Sequence, residues 1–90
     1  MDKQEKLALI DKMLRELEDS KNSQTSVIKK LAQLESENIN LGDKLLDKKL
    51  PDVFKLADDT LNAIADLQVE YIAVREKFVK DNKLEETVEV

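Results

Sequence analysis

Apolar residues recur along this chain with a repeat of two helical turns. Leu7, Ile10, Leu14 and Leu17 follow one another at spacings of three, four and three, and Met13 widens their stripe. After a polar interval, Ile28 and Leu31 resume the same steps, and the stripe moves on through Leu34, Asn38, Leu41 and Leu45. Farther along, Phe54, Ala57, Leu61 and Ile64 lead into Leu67, Tyr71, Val74 and Phe78. Steps of three and four put such residues on one face of an α-helix, and their sustained alternation is the pattern of one helix laid along another.

The punctuation between these stripes sets the expected elements. Asp2 and, three residues later, Glu5 have the spacing of a capping box, which starts a first helical arm at about residue 3. Residues 19–26 (D-S-K-N-S-Q-T-S) are polar, weak helix formers, and Ser23, Thr25 or Ser26 could cap a second helix there. The heptad phase nevertheless survives: stepping on from Leu17 by four, three, four and three reaches Lys21, Gln24, Ile28 and Leu31. A loop has no need to keep that phase, which favours one arm over about 3–41. Lys21 and Gln24 on the seam are either a register device or, for the lysine, a stem lying on the interface with its amine in water.

Gly42 and Pro51 are the single glycine and the single proline of the chain. Gly42 suits a helix C-cap, and Pro51 suits the first turn of a new helix while pushing Leu50 out of helical geometry. The spacing therefore predicts a hinge over 42–50, a second arm over about 51–81, and an acidic frayed tail over 84–90 following a single domain of 1–83. The expected fold is all-α: a long antiparallel helical hairpin resembling a coiled coil, with a three-helix bundle as the alternative should 19–26 break. Folding about position 46 or 47 makes facing residue numbers sum to about 93. Ile28 and Leu31 then oppose Leu61 and Ile64, Leu14 and Leu17 oppose Val74 and Phe78, and Lys21 and Gln24 fall near Gln68 and Tyr71.

Composition agrees with a thin helical interface. Of 90 residues, 41% are hydrophobic but only 3% aromatic, with no Trp, so a thick globular core is hard to build while a two-layer helix contact is not. Charged residues make up 39% and the net charge is −5. An acidic chain gains nothing from phosphate electrostatics, and thirteen Lys against two Arg leave few bidentate clamps, so neither nucleic acid nor a membrane surface is an expected partner. No apolar run approaches a membrane span and the first residues lack the pattern of a signal peptide, which makes a cytoplasmic location the expectation.

Chemistry is scarce. The chain has no His and no Cys, which removes the commonest general base, the commonest metal ligand and the thiolate nucleophile. One glycine cannot build a phosphate-binding loop. The carboxylate pairs Asp43 and Asp47, Asp66 and Glu70, and Asp58 and Asp59 have a spacing that a hard cation can use, yet solvated helix faces account for them. No catalytic, cofactor-binding or metal-binding residue is expected, and no enzyme.

The candidate site is therefore the packing seam itself: Leu7, Ile10, Leu14, Leu17, Ile28 and Leu31 on the first arm, and Leu61, Ile64, Leu67, Tyr71, Val74 and Phe78 on the second. Apolar residues off that seam, Leu56 and Ile72 among them, need cover, and self-association into a dimer or larger helical assembly supplies it most simply. These features point to a non-enzymatic interaction protein, an assembly factor, scaffold or adaptor, with another protein as partner besides itself. The alternative is an acidic inhibitor that presents carboxylates, in place of nucleic acid, to a basic protein surface.

Overall fold

A computed structural model describes residues 1–84 of the chain, and these form two long helices lying side by side. Helix α1 spans Lys3–Leu41 and α2 spans Lys44–Asp81, with no strand among the described residues. At 1.5 Å per residue, the 39 residues of α1 are about 58 Å long, which accounts for the 62 Å long axis of the molecule. The radius of gyration is 19.7 Å, where a compact globule of this length has about 12 Å. The molecule is a rod two helices thick, a helical hairpin; the three-helix bundle does not form.

Local signals account for the helix ends. Asp2 accepts a hydrogen bond from the Glu5 N–H at 2.7 Å while the Glu5 carboxylate accepts from the Asp2 N–H at 3.2 Å, so two otherwise orphaned donors are satisfied at the start of α1. Gly42 ends it in the left-handed region, φ 68° and ψ 29°, where a side chain would be strained. The polar stretch 19–26 is helical throughout, held by Lys21 and Gln24 reaching across to α2, and its hydroxyls fold back on the helix: Thr25 donates to the Lys21 carbonyl and Ser26 to that of Asn22.

The hinge is far shorter than the expected 42–50. Asp43 caps α2 immediately after Gly42, accepting from the Leu46 N–H at 3.0 Å, so two capping residues in succession reverse the chain. Pro51 consequently lies inside α2 and not in its first turn. An interior proline removes one helical hydrogen bond and costs about 3 kcal/mol. Leu50, which Pro51 was expected to displace, stays helical and only 7% exposed, and burying it offsets much of that cost.

The short turn moves the register. Asp11 with Arg75, Glu18 and Lys21 with Gln68, Gln24 with Ala57, and Asn38 with Asp47 bridge the helices, and their residue numbers add to between 81 and 89. The expected sum of about 93 is therefore wrong by roughly eight: seven hinge residues became helix. Ile28 and Leu31 meet the region of Ala57 and Phe54, and Leu14 and Leu17 that of Tyr71 and Gln68.

Candidate interaction face

On α1 the buried or half-buried positions run without interruption as Leu7, Ile10, Leu14, Leu17, Lys21, Gln24, Ile28, Leu31, Glu35 and Asn38. On α2 they run as Leu50, Phe54, Ala57, Leu61, Ile64, Gln68, Tyr71, Arg75 and Phe78, continued by the C-cap Asn82, with Val79, 3% exposed, beside them. Both keep the alternation of three and four. Leu67 and Val74, expected on the seam, do not belong to it: they are 52% and 51% exposed, and Gln68 and Arg75 occupy those layers. The regular steps from Leu61 and Ile64 lead to 68 and 75; choosing apolar neighbours over polar residues in phase caused the error.

Polar residues in the seam are partnered. Lys21 donates to Gln68 Oε1 at 3.0 Å, Gln68 donates to Glu18 at 3.1 Å, and Glu18 pairs with Lys21 at 3.1 Å, closing a triangle across the helices. The Gln68 amide and then the Lys21 amine hold the Glu18 carboxyl below its ordinary range. Gln24 reaches the Ala57 carbonyl at 2.8 Å, where the small alanine lets the side chain through. Asp11 pairs with Arg75 nearer the open end, where the Lys6 amine lies 5.7 Å from the Phe78 ring centre. Next to the turn, Asn38 is 4% exposed and accepts from the Asp43 N–H at 2.9 Å while donating to the Asp43 carbonyl at 3.2 Å and to Asp47 Oδ1 at 2.7 Å.

The two flanks of the seam differ. One carries the bridging Asp11, Glu18 and Arg75 contacts. The other is defined by residues seven apart: Met13, Ser20, Val27, Leu34 and Leu41 on α1, and Leu46, Val53, Thr60, Leu67 and Val74 on α2. None of these ten is charged, and the rows end in Lys6 and Asp81 at the open end of the rod. Met13, Leu17 and Ser20 share with Leu67 and Tyr71 a shallow cleft of about 400 Å³, which places both rows on one side of the rod, and Glu16 lines its outer edge. Val27 is 46% exposed, Leu34 43% and Leu56, one step farther out, 67%. A monomer rarely leaves so long an apolar strip in water.

The chain matches no family model, no curated protein and no solved structure. The face must therefore be understood from its own chemistry. Ile72, expected as an oligomer contact beside Leu56, is on the opposite flank and 40% exposed. Among the described residues no group of three carboxylates gathers in reach of one metal ion. The carboxylates singled out by spacing have structural uses: Asp43 caps α2, Asp47 accepts from Asn38, and Asp59 pairs with Lys55 at 2.8 Å, which raises the lysine's pKa. No helix of the described residues is long and apolar enough to cross a membrane. The acidic tail expected from 84, with its closing Thr87-Val88-Glu89-Val90, lies from residue 85 outside the described residues.

Proposed function

We propose that this chain is a non-enzymatic interaction protein of the cytoplasm, an assembly factor, scaffold or adaptor, that works by packing its uncharged flank against helices of a second copy or of another protein. One observation carries this: two runs of five seven-spaced positions, one on each helix, hold no charged residue until Lys6 and Asp81 at the open end, in a molecule in which 39% of residues are charged. Apolar strips beside a helix seam are what a further helix needs to dock, with buried area supplying the affinity.

The alternative, an acidic mimic, loses support from the pairing of its carboxylates. Asp52, Asp59 and Asp66 are spaced by seven along α2, yet Lys55 neutralises the middle one. A net charge of −5 also argues against nucleic acid or an anionic membrane as the partner.

A photo-activated crosslinker placed in the full chain at 27 or 67, in cells that make the protein naturally, should yield protein adducts, whereas the same group at 12 or 66 should not. Adducts formed equally from all four positions, or from none, would defeat the proposal. Binding of a captured partner should weaken less than about tenfold between 50 and 500 mM salt, since exposed charges are screened within about 8 Å at physiological ionic strength.

A further inference from the structure

We infer that the occupant of the uncharged flank is a second copy of this chain, related by a half-turn about an axis crossing the rod at mid-length, so that α1 lies antiparallel on α1 and α2 on α2. This rests on the proposed role of that flank and specifies what fills it. The accessible surface is 6991 Å², whereas a compact protein of 10.3 kDa exposes about 5400 Å². The rod shape accounts for that excess, and the 800 Å² or so that each partner contributes to a standard stable interface is about a ninth of the exposed surface.

The middle of the face is complementary to itself under that half-turn, while at its ends Leu41 and Leu46 come opposite Lys6 and Asp81 of the second copy. On α1 it sets Met13 against Leu34 and Ser20 against Val27, both pairs adding to 47 in residue number. On α2 it sets Val53 against Val74 and Thr60 against Leu67, adding to 127. The centres, 23.5 and 63.5, lie nearly equally far from the Gly42–Asp43 turn, so one axis serves both helices. Small opposes large at each inner pair, as interdigitating layers require. Thr60 donates its hydroxyl to the Leu56 carbonyl and needs no further partner.

The outer rim agrees at its centre, although farther out Leu56 comes opposite Glu70 and Leu9 opposite Glu37. Glu16 comes opposite Lys30 of the second copy, twice, while Ser23 and Ala63 meet their own counterparts at the axis, where small side chains permit close approach. A half-turn about the long axis would instead bring Glu16 against Glu70, like charges at one level of the rod. Lys49 and Lys77 do face each other in the antiparallel form, but toward the ends, where long stems carry the amines into water.

The test uses the absence of native cysteine. Sedimentation of the full chain at about 50 μM should give twice the monomer mass. Ala63→Cys should form a disulfide-linked dimer under mild oxidation within minutes, and Asp66→Cys, one turn round the helix, at least tenfold more slowly. Leu67→Glu should give a helical monomer, since a half-exposed position tolerates the charge in the monomer but not at a buried interface. A wild-type monomer at 50 μM, or a dimer that crosslinks as fast from 66 as from 63, would overturn the inference. A monomer that still forms adducts with a different protein from position 67 in cells removes the second copy and leaves the interaction role standing; no adduct there removes both.

Discussion

Of the polar groups that the rod holds in its seam, two are built differently. Beside the turn, Asn38 is almost wholly buried, neutral, and bonded to both the N–H and the carbonyl of Asp43 as well as to Asp47. At mid-length, Lys21, Gln68 and Glu18 form a charged triangle whose side chains remain open to water, the Lys21 and Glu18 side chains being 33% and 48% exposed. Burial decides what each is worth. A lost partner in a dry site leaves a group that nothing replaces, whereas water takes over at a half-open one. The turn network is a structural lock; the mid-length triangle marks the register without adding much stability.

Four variants would break or sharpen that contrast. Asn38→Ala should cost about 2–3 kcal/mol, because it removes three hydrogen bonds and leaves the Asp43 N–H without its partner, while the Asp43 carbonyl keeps the Asp47 N–H. For a chain of this length that lowers the Tm by ten degrees or more in thermal unfolding followed by circular dichroism. A loss below about 1 kcal/mol would mean water enters the turn and the contrast is false. Gly42→Ala should cost about 1 kcal/mol, from the left-handed backbone alone, since a Cβ there meets nothing within 4 Å. Gly42→Asn, which tolerates that conformation better, should recover part of the loss. The smallest effect belongs to the triangle: Lys21→Leu with Gln68→Leu should leave stability within about 1 kcal/mol of the wild type, in either direction. Its signature should be in pairing, with mixed oligomers or a slipped register detected by sedimentation and by spin labels, because an all-apolar seam accepts more than one alignment.

Much of what is settled within four residues along the chain was legible beforehand, though the Asp43 cap that starts α2 was not, and 19–26 was only favoured as helix. The Asp2 and Glu5 capping box, the end of α1 at Gly42 and the helicity of 19–26 each depend on hydrogen bonds between near neighbours or on an unbroken phase. Pro51 misled because proline's preference for a first turn is a local tendency, and burial of Leu50 together with the Asp43 cap outweighs it. Among the seam residues, Leu61, Ile64, Tyr71 and Phe78 followed from spacing; Leu67 and Val74 did not, since polarity was taken to exclude Gln68 and Arg75 from an interior. What admits those two is the opposite helix, where Lys21, Glu18 and Asp11 wait at the same levels. A one-dimensional pattern of three and four names the face a helix buries, because that face is a property of a single helix. Which residues meet across the seam is a property of two, set by the length of the turn. Two residues instead of nine slid α2 along α1, so the register, the two unlike flanks and the uncharged strip between copies exist only in the folded rod.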